Sequence, residues 1–187
     1  MPRVLDRHER LRDITAAVES IATHSGFSQV TIRGVADRLA MSTTAITHVF
    51  SSRDEMLRYV VDRSIGRRCD QIDAAIEGRH GPEAMRALIE WVVLGPADEA
   101  HRLWLALVLA APGEPVLRER LDEFNEWWSN RLASCVVDVD DAEREALLDV
   151  IDVVVNGLIV AGVETDEVWD TSRRRRVLTT VFGRLGL

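Results

Sequence analysis

The stretch Ser42-Thr43-Thr44-Ala45-Ile46-Thr47-His48 sets five short or planar polar side chains around two apolar ones. Threonine hydroxyls can bond phosphate oxygens or base edges, their methyls can touch thymine methyls, and a histidine can donate to guanine. An enzyme site would need a different set, so the chemistry this stretch offers is contact with duplex nucleic acid. Ser42 stands where a helix would begin, and the free amides there favour a phosphate.

Such side chains work only if helices hold them outward. Ile14, Ala17, Val18, Ile21 and Ala22 fall at the i, i+3, i+4, i+7, i+8 spacing of one apolar stripe, which predicts a first helix over about residues 6–24 that ends at Gly26. Thr31 and Ser42 read as N-caps of two short helices ending near Leu39 and Phe50, with only Ala40 and Met41 between them. Val35, Ala36, Leu39, Met41, Ile46 and Phe50 form the expected buried set, and two short helices around a tight turn describe a helix-turn-helix. Ser52-Arg53-Asp54-Glu55 is a capping box that opens a long fourth helix to about Glu77.

Here the sequence resembles the tetracycline-repressor family. Thr31, Val35, Ala36, Met41, Ser42, Ile46, His48, Phe50, Ser52, Arg53 and Met56 occupy the family's motif positions without a gap, and Ala16-Ala17, Ile21, Gly26 and Phe27 match its first helix. The likeness covers about residues 10–57. It implies DNA contact through Arg33, Ser42, Thr43, Thr44, Thr47 and His48, and through Arg53, which replaces the family's lysine and could clamp a phosphate with two parallel N–H bonds. Three residues depart from the pattern: Ala40 for the turn glycine, Thr44 for a glycine in the recognition helix, and Thr47 for a tyrosine that contacts phosphate.

Beyond residue 77, Gly81-Pro82, Gly95-Pro96 and Pro112-Gly113 break the chain into helical segments over about 83–94, 98–111 and 115–135. Asp140 and Glu143 cap a further helix over about 141–163, and Thr171 to Leu185 reads as the last one. The expected fold is therefore all-α with about nine helices: a three-helix DNA-binding domain over residues 1–52, then a larger ligand-binding and dimerisation domain over 53–187. If the head binds DNA as the family does, two copies must sit on half-sites about 34 Å apart, which requires a homodimer. The last two helices could supply its interface through Gly157, Val160, Val177, Leu178, Val181 and Phe182, with Gly157 and Gly162 allowing close approach. All five tryptophans lie outside the head, and aromatic walls with few polar groups suit a small-molecule pocket; Trp91, Trp104, Trp128 and Asn156 are the expected lining residues. The segment from Asp98 to Trp128 also looks like the branch of the family that includes choline-responsive repressors, a likeness shared by sensors of other ligands.

The net charge of −8 hides an uneven balance, because residues 1–53 contain seven arginines against five acids. A mildly basic head on an acidic body suits a DNA-binding module. Cys69 and Cys135 lack the paired spacing of a disulfide framework or zinc site, and the histidines are scattered, so neither metal nor cofactor is expected. No nucleophile elbow, phosphate loop or zinc-protease motif occurs, which argues against an enzyme. The polar start and the lack of an apolar run near the roughly 20 residues of a membrane span lead to an expected cytoplasmic location with no membrane partner. The resulting expectation is a regulator, by default a repressor, released from a palindromic operator by a small-molecule effector; the alternative is a helical dimeric adaptor that binds only protein.

Overall fold

The structure, a computed structural model, describes residues 7–95, 98–137, 139–165 and 167–187. Asp6 and Pro96, near which the sequence reading puts helix boundaries, lie outside those residues. The described helices are α1 (Arg7–Ser25), α2 (Ile32–Arg38), α3 (Thr43–Thr47), α4 (Arg53–Ile76), α5 (Gly81–Leu94), α6 (Asp98–Ala110), α7 (Pro115–Ala133), α8 (Asp141–Glu164) and α9 (Thr171–Leu185). Strands are absent among the described residues. The all-α expectation holds. Gly26 ends α1 at φ +86°, where a side chain would be strained. Asp140 accepts the Glu143 amide at 2.9 Å and Asp170 the Arg173 amide at 2.7 Å.

The chain divides into two compact units: residues up to Ile65 with Leu103–Asp122, and Gly66–Arg102 with Glu123–Leu187. Helices α4, α6 and α7 each give residues to both. In the first unit Ile14, Val18, Val35, Ile46, Met56 and Leu57 are wholly buried in one apolar cluster with Leu107 and Leu117. Burying each such side chain contributes roughly 1.5–3 kcal/mol before chain entropy is set against it. Leu39 and Met41 are only half-buried at the edge of this cluster. Between α2 and α3, Ala40 takes φ +51°, the only positive φ of a non-glycine residue among the described ones, while Met41 donates to the Ala36 carbonyl at 2.9 Å. An L-residue there costs about 1–2 kcal/mol, partly offset by the entropy a glycine would lose. Ala40→Gly is expected to stabilise the chain by about 0.5–1 kcal/mol and raise the melting temperature by about 2 °C. No rise in a thermal melt would show that the turn is not strained.

In the second unit, Met85, Leu88 and Val93 of α5 pack with Ile151, Leu158 and Ile159 of α8 and Leu178 and Phe182 of α9. By length and composition α8 is apolar enough to cross a membrane, which corrects the expectation that no apolar run comes near that length. One face of α8 is nevertheless spent on this core. Gly162 of α8 makes room for Arg174, since a Cβ there would meet the Arg174 Nη1 at 2.8 Å. Its role is thus to admit a guanidinium from the same chain. That guanidinium is buried, donating to the Val93 carbonyl at 3.1 Å, with Asp98 at 3.7 Å.

His101 is also wholly buried, its Nε2 donating to the Val92 carbonyl at 3.0 Å. Burial, aided by the positive charges of Arg68 and Arg174, pushes its imidazole below the ordinary 6.5 despite the Val92 bond and Asp98. The unfolded chain therefore takes up this proton at higher pH than the folded one, so stability is full above pH 6.5 and is lost as the pH falls through the lowered value. The melting temperature should drop between about pH 7 and 5.5, and His101→Gln, which keeps a donor, should remove most of the drop. A melting temperature flat across that range would contradict a neutral His101.

Candidate nucleic-acid interface

The recognition stretch is built by two caps and one anchor. Thr31 Oγ1 accepts the Gly34 amide at 2.9 Å to start α2, and Ser42 Oγ accepts the Ala45 amide at 3.2 Å to start α3. Ile46, fully buried, pins α3 to the core. Around it Ser42, Thr43, Thr44, Thr47 and His48 are all exposed. Thr47 Oγ1 donates to the Thr44 carbonyl at 3.2 Å, which leaves its lone pairs free and fixes its methyl. Because α3 is a five-residue helix whose Ala45 amide is taken by Ser42, Ser42 acts first as a cap and the helix start adds little dipole.

Arg33 is 86% exposed and pairs loosely with Asp37 at 3.8 Å, a contact a phosphate can displace at little cost. Arg53 departs from expectation. Its Nε donates to the Val30 carbonyl at 2.6 Å, Nη2 to the Phe27 carbonyl at 2.9 Å, and Nη1 and Nη2 grip the two oxygens of Glu114 at 2.9 Å each. Four of the five N–H donors of a guanidinium are thereby committed, so Arg53 has no pair left for a bidentate phosphate clamp. Its hydrogen bond to Glu114 raises its pKa, and the same bond holds the Glu114 carboxyl below the ordinary 4.5. Glu114 lies 61 positions away and was not foreseen. The capping box is also half-shifted: Ser52 Oγ accepts the Glu55 amide at 3.1 Å, but the Glu55 carboxylate takes the hydroxyl and amide of Ser51, both at 2.6 Å.

Of the expected effector residues, Trp104 belongs to the first unit and Trp91, Trp128 and Asn156 to the second. Trp104 packs on the core of the first unit. Trp128 is buried in the second, stacked on Phe124 at 6.4 Å and donating to Asp152 Oδ1 at 3.0 Å. Asn156 is exposed and donates back to the Asp152 carbonyl. Trp91 lines a cavity of about 810 Å³ with Arg79, Glu83, Arg86 and Glu90. Glu83, Arg86, Ala87, Glu90, Trp91 and Leu94 share one face of α5, a spacing that a search for tryptophans alone passes over.

Among the expected dimer residues, Leu178 and Phe182 are 1% exposed and belong to the core of their own chain, since that face of α9 meets α5 and α8. Gly157 and Val160 face outward, and Val177 and Val181 are half-buried. Val150, Val153 and Val160 are 45%, 72% and 46% exposed and, with exposed Ala146 and Gly157, recur at alternating steps of four and three along α8. That is the seam spacing of paired helices.

The chain has the fold of a transcriptional regulator from Rhodococcus sp. Rha1 (TM-score 0.82, 19% identity, 94% of this chain and 95% of that one). It also has the fold of a regulator from Saccharomonospora viridis solved in complex with choline (TM-score 0.81, 18% identity, 95% and 97%). A tetR-family member from Streptomyces coelicolor A3 is 25% identical over 95% of this chain and 98% of its own, with a TM-score of 0.69. No curated protein sequence matches. Residues 14–60, which run from the first buried isoleucine of α1 through the recognition helix into α4, match the family model described as bacterial regulatory proteins, tetR family. Over residues 14–60 the chain thus carries the head described for the tetR family of bacterial regulatory proteins, and beyond them the likeness is one of fold.

Proposed function

We propose that the protein is a homodimeric repressor that holds a palindromic operator through α3 and lets go when a small molecule binds its second unit. The observation that carries DNA binding is the outward face of Thr43, Thr44, Thr47 and His48 on a helix anchored from behind by Ile46. Arg33 supplies a phosphate contact from the start of α2, and the role of Arg53 is to hold the head together. The short hydroxyls bring the backbone of α3 close to the base edges, where a tyrosine at position 47 would reach further to phosphate.

Pairing is assigned to the apolar seam Ala146, Val150, Val153, Gly157 and Val160, flanked by Val177 and Val181. The effector is assigned to the cavity at Trp91, where arginine and glutamate side chains suit a polar or charged small molecule. The test is DNA affinity against salt. Phosphate contacts release counterions, so log affinity should fall linearly with log salt concentration; a folded protein with no such slope would be an adaptor that binds only protein.

A further inference from the structure

The model of the family's head ends at residue 60, yet the head as folded includes Leu103–Asp122. Three ion pairs join α4 to this added segment: Arg53 with Glu114 at 2.9 Å, Arg58 with Glu119 at 3.3 Å and Asp62 with Arg120 at 3.5 Å. The first differs from the others in geometry and burial. Its side chains are 27% and 22% exposed, its contact is bidentate, and its guanidinium also gathers the carbonyls of Phe27 and Val30. Those carbonyls belong to the turn that leads directly into Thr31, the cap of α2, and α2 packs on α3. Glu114 is itself fixed, because it ends the turn Ala111–Gly113 and its carbonyl accepts the amides of Leu117 and Arg118 at 3.0 Å, at the start of α7.

We infer that Glu114 is a positioning residue for DNA binding: through Arg53 it sets the turn before α2, and with it the placement of the recognition helix, from outside the helix-turn-helix. The inference rests on the DNA-binding reading above. A bidentate carboxylate fixes a guanidinium in direction as well as distance, which a single surface ion pair does not. A shift of the turn between α6 and α7 therefore reaches α2 and α3 by a short chain of hydrogen bonds, Glu114 to Arg53 to the Phe27 and Val30 carbonyls. It is the place where a change elsewhere in α6 or α7 would alter DNA affinity.

The test compares wild type, Glu114→Gln and Arg53→Lys on a duplex selected by the wild-type protein from random sequence, with thermal melts alongside. Both variants are expected to bind it about tenfold more weakly while folded, within the span of typical coupling between sites, with the salt slope unchanged because no phosphate contact is lost. Arg53→Lys is the discriminating change and also stands alone if Glu114→Gln fails to fold, because lysine keeps the charge a phosphate would need but not the fork that Glu114 needs. Unchanged affinity with a lowered melting temperature would overturn the inference by reducing the pair to a brace. Tighter binding by Glu114→Gln with a salt slope steeper by about one would overturn it too, making Arg53 a phosphate ligand that Glu114 restrains. If the wild type itself binds no DNA, it is the DNA-binding reading that fails.

Discussion

Replacing both Val153 and Val160 with glutamate is expected to turn the protein into a monomer and to weaken its hold on a two-half-site duplex by about 100-fold or more. Both valines stand on the outer face of α8, 72% and 46% exposed, so neither change opens a cavity in the chain's own core. In a two-fold pair each substitution occurs twice on facing surfaces, which sets like charges against one another in a seam that needs to be dry. The loss on DNA follows because one tethered head assists the other only while the two are joined, a gain typically of about 10²–10⁴. Light scattering after gel filtration reads the mass and anisotropy reads the affinity. A variant that remains a dimer would move the interface elsewhere, and Leu109, 81% exposed on α6, would be the next surface to test.

Thr47→Glu should abolish operator binding with the fold intact. Thr47 is exposed and its hydroxyl donates to the Thr44 carbonyl within its own helix, so its replacement should change stability by about 0.5 kcal/mol or less. On DNA the same change removes a hydroxyl and brings a carboxylate toward phosphates, a like-charge approach that costs several kcal/mol, or about 100-fold and more in affinity. Ser129→Glu, an equally exposed change on α7, controls for net charge and should leave binding within a fewfold of wild type. Equal loss in both would mean that overall charge, not the face of α3, is being read.

The head was legible because its signals are local. Thr31, Ser42 and Gly26 act on amides or backbone angles within a few residues of themselves, and the apolar positions 14, 18, 35, 36 and 46 recur at helical spacing, so caps, turn and buried set were all written close together. Some helix ends slipped: α3 ends at Thr47 rather than near Phe50, and α7 at Ala133 rather than 135.

What the sequence hid depends on partners far along the chain. The Arg53–Glu114 pair joins positions 61 apart, and a charge pairing at that separation leaves no periodic trace. Periodicity marks Leu178 and Phe182 as apolar but does not say which helix covers them, and α5 and α8 of the same chain do so. The tryptophans mislead for a related reason. Composition outside the head suggests an aromatic pocket, yet Trp128 is buried in a core, Trp104 packs against one, and Trp91 lines a cavity among charged side chains. Ala40, in contrast, was readable as a departure from the turn glycine, and its φ of +51° is the strain that departure implies.

The central claim, that α3 of a paired head reads a specific operator, is tested most directly by incubating the folded protein with a library of random duplex DNA and sequencing what it retains. The account predicts an inverted repeat whose half-sites lie one helical turn apart or a multiple of it, enriched by wild type and lost with Thr47→Glu. Retention at low salt without any enriched sequence, or no retention at all, would contradict it.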